Sequence, residues 1–384
     1  MPSPITLTVT EQEIRDVADD AWEAACLDGA TSSSSSSGGD SGAGVGQVLT
    51  DAATRSLDSA ITTNQRLTRE ARTRFIESRR QMAGDGAGFV GRNDVAFDLD
   101  GTFAATNGRV STQGSFHQQS GSFDGTYRRL VFGDFDIRHD GDTGSSTATL
   151  SGKLAWERMI DDDTMVGYFL GGELARSDID GAFEGDQDRI GVSAGAYVVA
   201  ALQEDLFADA FLSLGAGRND LDMTDGTMEL EGDYTTRSAT VGAALSGVIP
   251  RAGYEIRPEA AVAYGYTDLG TIDLVDAAAG SVDNEVVVDA DHVSIATLTL
   301  RPEVRIPMAP VEGAESRSLL TFAPRVVCER VVAGETREDC GGGAEIGVAT
   351  TSGDGRTAFE ARLTADRVGD NTRTGFELSF ESRF

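Results

Sequence analysis

The chain closes on the stretch R-T-G-F-E-L-S-F-E-S-R-F, residues 373–384. Phe376, Leu378, Phe380 and Phe384 occupy even positions, whereas the odd positions from 375 to 383 hold glycine or polar residues. Strict alternation of this kind predicts a β-strand with one apolar and one polar face. Most soluble chains end in polar coil that frays, so an amphipathic strand with an aromatic last residue is informative about the fold.

The same alternation recurs through most of the chain from about residue 128. Leu150, Leu154 and Trp156, for example, alternate with Ser151 and Lys153. Further alternating segments lie near residues 128–138, 165–174, 190–198, 206–214, 237–247, 254–266, 290–304, 318–331, 342–351 and 357–367. Together with the last stretch they predict about twelve antiparallel strands.

The connections between these segments alternate in length. Those near 159–164, 201–205, 248–253 and 352–356 are short, and those near 178–186, 218–234, 268–289 and 332–341 are longer, acidic and rich in glycine. Only the link near 305–317 departs from this rule. Short turns at one end and long loops at the other are typical of an up-and-down transmembrane β-barrel. A Greek-key sandwich does not predict this alternation.

Bulk composition is compatible with that interpretation. The chain has 384 residues, 63 of them acidic and 32 basic, for a formal net charge of −31. Nucleic acid and anionic lipid surfaces are poor partners for so acidic a chain. No apolar run approaches the roughly 20 residues of a membrane-spanning helix. Because a spanning strand needs only about 10 residues, half of them facing inward, hydropathy alone does not separate a barrel from a soluble protein.

A different pattern precedes the strands. Residues 31–46 form a Ser/Gly linker, and residues 47–84 lack proline and favour a long helix. The helix is locally basic, and its arginines are Arg55, Arg66, Arg69, Arg72, Arg74, Arg79 and Arg80. The polar face of the strands is mostly small and carries acidic residues at Glu173, Asp209, Glu255, Glu259 and Glu377. We therefore expect the helix to lie inside the pore, opposite these carboxylates.

Residues 85–127 lie between the helix and the predicted barrel, 128–384. They contain one more alternating stretch, with Val95, Phe97 and Leu99 on one face. Two interpretations stay open. The stretch is either a hairpin outside the barrel wall or two additional strands that would make fourteen.

The helix, the amphipathic strands, the stretch R-P-E-A-A-V-A-Y-G-Y at 257–266 and the C-terminal F-E-L-S-F-E-S-R-F together resemble the translocator domain of bacterial autotransporters (type V secretion). The resemblance covers roughly residues 47–384. It implies a barrel in the bacterial outer membrane, a helix in the pore, and a passenger polypeptide in cis at the cell surface. It also implies that Phe376, Leu378, Phe380 and Phe384 are recognised by the barrel-insertion machinery. Residues 1–30 are interpreted as a passenger remnant.

Three features depart from that family. Residues 1–10 lack the basic and apolar regions of a signal peptide, so we expect the chain to be the C-terminal piece of a longer protein or to have a misplaced start. Residues 1–46 are short for a passenger. Some autotransporters cut their linker helix between two asparagines, whereas Asn64 is the only asparagine of this helix, so self-cleavage is not expected.

Cys328 and Cys340 lie near the two ends of one predicted loop, where a disulfide across a hairpin is plausible in an oxidising compartment. Two free thiols are the alternative, and Cys26 is left over.

No enzymatic or cofactor site is predicted. Residues 95–103, V-A-F-D-L-D-G-T-F, match the first motif of haloacid-dehalogenase-like phosphatases, in which Asp98 would be the nucleophile and Asp100 the acid/base. The alternating β and α elements of that fold are absent from the pattern. His117, His139 and His292 lie too far apart in sequence for a metal site. The alternatives to a translocator are a porin or adhesin barrel without a passenger, which would conduct ions without removal of the helix, and a soluble acidic all-β protein.

Overall fold

The computed structural model describes residues 41–83, 96–106, 109–120, 128–141, 144–181, 183–276, 285–289, 292–308, 316–353, 356–369 and 371–383. Within these ranges, no helix has both the length and the hydropathy of a transmembrane helix. The passenger remnant expected within residues 1–30 lies outside the described residues, as does Cys26.

Helix α1 spans Ser41–Ala83. At 1.5 Å per residue its 43 residues extend about 65 Å. The sequence predicted a start at residue 47, so the observed helix takes in the end of the predicted Ser/Gly linker. Glycine disfavours helix in isolation. Here Val45 and Leu49 are fully buried, and this packing stabilises the first turns despite Gly42, Gly44 and Gly46.

Nineteen strand segments follow the helix in the described part of the chain. The first ten are β1 (Ala96–Thr106), β2 (Arg109–Ser120), β3 (Arg128–Asp140), β4 (Ser146–Asp161), β5 (Thr164–Ile179), β6 (Glu184–Gln203), β7 (Leu206–Thr224), β8 (Glu229–Gly247), β9 (Ile249–Arg251) and β10 (Tyr254–Arg257). The others are β11 (Glu259–Asp268), β12 (Thr271–Asp276), β13 (Glu285–Asp289), β14 (His292–Leu300), β15 (Glu303–Pro307), β16 (Arg317–Ala333), β17 (Glu335–Thr351), β18 (Thr357–Val368) and β19 (Asn371–Arg383).

These segments build one closed antiparallel barrel of fourteen strands among the described residues. Some barrel strands are divided into consecutive segments that pair with the same neighbouring strands. Segments β8 and β9 form one barrel strand, β10 to β12 form the next, and β13 to β15 form the one after it. The ring closes where β19 pairs with β1, from Ala96 opposite Arg383 to Thr106 opposite Arg373. The all-β barrel and the alternative count of fourteen are therefore confirmed.

The count of twelve is wrong because β1 and β2 belong to the wall. β1 pairs with β19 on one side and with β2 on the other, and β2 pairs with β3. The barrel thus begins at Ala96 and not at residue 128, and the segment 85–127 contributes two wall strands. Their pattern was weak because Gly101 occupies the outward-facing position between Leu99 and Phe103 and leaves a gap in the apolar series.

The outer surface of the barrel is apolar. On β19, Phe376, Leu378 and Phe380 each expose about two fifths of their surface, and Leu99 and Phe103 of β1 lie beside them. Large exposed apolar side chains occur in the same outward register on β3 to β8, β11, β14 and β16 to β18. A continuous apolar belt of this extent is unstable in water. In lipid it is stable because the closed ring satisfies the backbone hydrogen bonds.

The two ends of the barrel differ. One end carries short turns at 162–163, 204–205 and 252–253, and we call it the turn end. The other carries the tips at 180–183, 225–228 and 334, and we call it the hairpin end. Strand β6 has 20 residues and β7 and β8 have 19 each, more than the 9–11 or so that span a bilayer, so they project beyond the apolar belt.

The long loops predicted near 218–234 and 332–341 are therefore mostly strand. In β7 and β8 the alternation continues through Leu221, Met223 and Leu230, which are buried. The alternation is hard to recognise in the sequence because the intervening residues are acidic. In the β16–β17 hairpin the turn is made by Gly334 at φ +75°, a conformation that glycine adopts without strain.

Candidate functional site

Helix α1 lies inside the barrel, and its contacts order it along the lumen. At the hairpin end, a Cβ built on Gly44 would lie 2.9 Å from Cε2 of Phe183, and one on Gly46 would lie 3.8 Å from Cγ1 of Val288. At the turn end, the rings of Phe75 and Phe207 meet edge to face with centroids 6.4 Å apart. The N-terminal end of the helix is thus at the hairpin end.

An apolar cluster surrounds the first turns of the helix, where the projecting hairpins converge. We call it the hairpin collar. Its members from the wall are Ile179, Phe183, Leu221, Met223, Leu230, Ile272, Leu274 and Val288, and they form one buried core with Val45 and Leu49. Fully burying an aliphatic side chain contributes about 1.5–3 kcal/mol, so the collar favours the seated position of the helix.

Further along the lumen, the helix approaches the wall closely at one glycine. A Cβ at Gly265 of β11 would lie 2.7 Å from Cδ1 of Leu57 and 2.8 Å from Cδ1 of Ile61. Both helix side chains are almost completely buried. The absence of a side chain at Gly265 is what lets the apolar stripe of the helix pack against β11.

A buried polar cluster lies at the midpoint of the helix. Asn64 donates its side-chain amide to Oγ1 of Thr240 at 2.9 Å and accepts from Nζ of Lys153 at 2.7 Å. The Lys153 ammonium also lies 4.9 Å from the ring centroid of Phe169. A buried charge is costly unless it is paired or hydrogen-bonded, and Asn64 and the Phe169 ring provide this compensation.

Two of the lumen carboxylates anticipated from the sequence meet arginines of the helix. Arg72 forms ion pairs with Asp209 of β7 and with Glu259 of β11. Arg69 reaches the second oxygen of Glu259 at 3.2 Å. All three members of the Arg72 pairs are buried, whereas the side chain of Arg69 is 49% exposed.

Three more arginines of the helix pair with carboxylates that sequence reasoning missed. Arg66 pairs with Asp134 of β3, Arg74 with Glu157 of β4 at 2.7 Å, and Arg79 with Asp163 at 2.9 Å. The sequence did indicate an inward direction for one of them, because Glu157 and Lys153 both occupy odd positions, the polar face, of an alternating strand. Asp134 and Asp163 lie in acidic stretches where no position stands out.

Glu157 is the most buried of these carboxylates. Its side chain has no exposed surface, Tyr197 donates its hydroxyl to Oε1 at 2.9 Å, and Arg128 lies 3.8 Å from Oε2. Opposite charge and hydrogen-bond donors stabilise a carboxylate that is buried this deeply. Arg74 of the helix therefore completes an environment that β3, β4 and β6 prepare.

The other predicted lumen residues have different surroundings. Glu173 pairs with Arg189 of β6 at 3.0 Å, and Glu255 pairs with Arg257 of β10. Glu377 lies on β19, directly opposite Arg362 of β18. Arg55 lines a small cavity with Glu173 and other residues. Arg80 is within α1, but its side chain lies outside the described residues.

The cysteines and the C-terminal residues lie on the outer side of the wall. Cys328 and Cys340 occupy directly opposite positions of β16 and β17, and their sulfur atoms are 2.05 Å apart. Phe376, Leu378 and Phe380 point outward at the seam between β19 and β1. Phe384 lies outside the described residues.

No catalytic or metal centre emerges from the described residues. Asp100 lies in β1 between two antiparallel strands, so the phosphatase-like motif is part of the barrel wall. In the ranges that the structure describes, no three His, Cys, Asp or Glu side chains are grouped so as to hold a metal ion.

Comparison with known proteins gives one family. Residues 131–311 match the model of the autotransporter beta-domain. No curated protein sequence matches the chain significantly.

Similar solved structures include two autotransporter domains and a channel. The beta domain of the Bordetella autotransporter BrkA has a TM-score of 0.46 at 15% identity, covering 76% of this chain and 100% of that one. The translocator domain of NalP from Neisseria meningitidis has a TM-score of 0.44 at 12% identity, covering 83% and 98%. The Pseudomonas putida toluene transporter TodX has a TM-score of 0.42 at 8% identity, covering 79% and 90%.

Proposed function

We propose that this outer-membrane translocator barrel, whose residues 131–311 match the autotransporter beta-domain, carries an N-terminal passenger polypeptide to the bacterial cell surface. The observation that carries the proposal is the direction of α1 in the lumen. Its first turns lie in the hairpin collar, and its last turns lie at the turn end, where β1 begins opposite the end of β19.

This direction determines where a passenger would lie. In outer-membrane barrels the short turns are periplasmic and the longer connections are extracellular. A polypeptide joined to Ser41 would therefore continue from the extracellular mouth, while Ala83 connects to the wall on the periplasmic side. The helix would be the last part of the exported segment to enter the pore, and it would stay there.

The contacts of the helix support retention after export. Arg72 and Arg74 place guanidinium groups against the buried carboxylates Asp209 and Glu157. Withdrawing the helix would break these buried ion pairs together with the contact at Gly265 and the packing in the hairpin collar. The barrel then serves as an anchor as well as a conduit.

The proposal is tested by a surface-display experiment. A signal peptide and an epitope-tagged reporter are fused immediately before Ser41 and expressed in a Gram-negative host. We expect an external protease to remove the reporter from intact cells. In a matched fusion, the reporter is joined directly to Ala96, so that the barrel is retained without its helix, and we expect the reporter to be protected.

Barrel folding is followed in both fusions by heat-modifiable migration on a gel. A folded barrel whose reporter before Ser41 stays protected from protease would contradict the export proposal. Loss of heat-modifiable migration in a chain truncated before β19 checks that the ring, which β19 closes against β1, is needed.

We also propose that the terminal strand is the feature recognised by the insertion machinery. Phe376 and Phe380 face outward opposite Phe103 and Leu99. Replacing Phe384 by Ser should lower the amount of inserted barrel in cells without changing the heat stability of the fraction that inserts. Equal insertion of both chains would contradict this role.

A further inference from the structure

The outward face of the barrel changes from apolar to charged near the hairpin end. We call the first charged outward side chain beyond the apolar belt on each strand a member of the boundary layer. On β5 this member is Arg176, the next outward residue after Leu174. On β7 and β8 the members are Arg218 and Arg237, each separated from the belt by one outward alanine. Arginine therefore borders the belt on three strands of one face.

The charge of the boundary layer is opposite in sign to that of the chain. The chain as a whole has 63 acidic and 32 basic residues. On the described strands the boundary layer has five arginines and three carboxylates, namely Arg176, Arg218, Arg237, Arg330, Arg367, Asp188, Asp268 and Glu338. The outward carboxylates of β5 to β8 that make the hairpins acidic lie farther from the belt, and they are Asp178, Asp186, Asp220, Asp222, Glu231 and Asp233. The net charge of −31 thus does not describe the layer next to the belt.

Three of the five arginines lie at one depth within four adjacent strands. Asp188 and Ile190 of β6 lie opposite Arg176 and Arg218, respectively, and Arg237 of β8 lies two positions closer to the belt than the partner of Arg218. The group therefore shifts by four positions over the three steps from β5 to β8. Barrel strands tilt by about 35–45°, so a line parallel to the membrane shifts by about 1–1.5 residues per strand. The observed shift agrees with this tilt.

A tyrosine marks the same depth on the next strand. Tyr266 of β11 points outward and lies opposite Ala239, the alanine that separates Arg237 from the belt. Tyrosine is enriched where the hydrocarbon region meets the headgroups. The three arginines, just beyond that depth, therefore lie among lipid headgroups.

The guanidinium groups of the three arginines are available to a ligand. Arg176 and Arg218 expose 62% and 66% of their side chains, and their carboxylate contacts lie between 3.0 and 4.0 Å. Exposed pairs of this kind contribute little to stability, so a stronger partner can replace them. Arg237 is exposed and has no ion-pair partner in the part of the chain that the structure describes. Asp188 and Asp268 share the layer, which leaves the group with one net positive charge.

We propose that Arg176, Arg218 and Arg237 bind the phosphate groups of a lipid headgroup in the leaflet at the hairpin end. The planar guanidinium matches phosphate oxygens with two parallel hydrogen bonds. The acyl chains of the same lipid would pack on the apolar outward residues of β5 to β8, directly below the arginines. A lipid therefore gains both contacts, whereas free phosphate gains only one. The site does not depend on passenger export, and only the assignment of this leaflet to the cell exterior rests on the orientation proposed above.

The test measures binding of lipid A, a glycolipid with two phosphates, to the purified full chain in mixed micelles with a neutral detergent. Native mass spectrometry gives the bound fraction as lipid A is titrated. One arginine at an anionic lipid surface contributes about fivefold to affinity. The triple variant Arg176→Gln, Arg218→Gln, Arg237→Gln should therefore bind about a hundredfold more weakly than the parent. Arg218→Lys, which keeps the charge, should lose less affinity than Arg218→Gln.

Arg337→Gln is the matched control. Arg337 is 61% exposed near the hairpin end and contacts the two carboxylates Glu329 and Asp339, but it occupies an inward-facing position of β17. Its replacement should change the affinity by less than about twofold. Heat-modifiable migration shows that each variant is folded.

Equal affinity of the parent and the folded triple variant would overturn the proposal. Equally strong binding of dephosphorylated lipid A by the parent would overturn it as well. Displacement of lipid A by inorganic phosphate at millimolar concentration would indicate a site for free anions and would overturn the assignment to a lipid. Because the titration is carried out in micelles, its result does not depend on whether the barrel exports a passenger.

Discussion

Substitution of Arg72 measures how strongly the barrel binds its helix. Its guanidinium bridges Asp209 and Glu259, and the side chain is only 7% exposed. Substituting Arg72→Gln leaves Asp209 buried without its partner, whereas Glu259 keeps Arg69 at 3.2 Å. Removing one member of a buried pair is unfavourable by about 3–5 kcal/mol, which is a factor of about a hundred or more in the equilibrium between seated and released helix.

Arg69→Gln is the matched control, because it removes a neighbouring arginine that is 49% exposed. Exposed pairs contribute about 0–1 kcal/mol, and Glu259 would keep Arg72. The expected change in the same equilibrium is therefore about fivefold at most. The two arginines differ by three positions in sequence, so length, net charge and helix propensity are the same in both variants.

The assay is limited trypsin digestion of the folded barrel in detergent, followed by the loss of intact α1. Cleavage at the remaining arginines requires the helix to leave the lumen, and its rate follows the released population when release is fast relative to cutting. Arg72→Gln should be cut about a hundred times faster than the parent, and the double variant Arg72→Gln, Asp209→Asn should recover part of the difference. Equal rates for Arg72→Gln and Arg69→Gln would refute the reasoning.

Three further predictions concern packing. Gly265→Val should displace the helix and accelerate the same digestion, because a side chain there meets Leu57, whereas Gly101→Val, where a Cβ would meet nothing within 4 Å, should not. Leu49→Asp should destabilise the hairpin collar by about 3 kcal/mol or more because it buries a charge. Gln47→Asp, at an exposed position of the helix, should not. The protection of the collar's backbone amides against hydrogen exchange distinguishes the two variants. Cys328→Ser should increase protease cutting of the β16–β17 hairpin without changing the heat stability of the barrel, since the bond joins two strands that are already paired.

The sequence was sufficient to predict the barrel because odd and even positions of a strand face opposite sides, which determines which side chains contact lipid. Phe376, Leu378 and Phe380 show this pattern without interruption, and their outward direction follows from it. The hairpin β1–β2 was harder to predict because Gly101 interrupts the outward-facing apolar series of β1. Its place in the wall depends on pairing with β19, which lies at the opposite end of the chain.

The contents of the lumen were only partly predictable for the same physical reason. Parity predicts that Asp209 and Glu259 face inward, but not which arginine of the helix reaches them. That depends on the axial position and rotation of α1, which are determined by Gly265 and by the collar.

The solitary lysine of this chain has a practical consequence. Its ammonium is enclosed between Asn64 of the helix and the Phe169 ring of the wall. Acylating reagents attack accessible amines, so the Lys153 amine should resist acetylation while α1 is seated in the lumen and accept one acetyl group, beyond the one on the α-amino group, once α1 has left. Mass spectrometry of the acetylated wild-type chain would then give the fractions of barrels with and without a seated helix, and it needs no fluorophore, fusion or mutation.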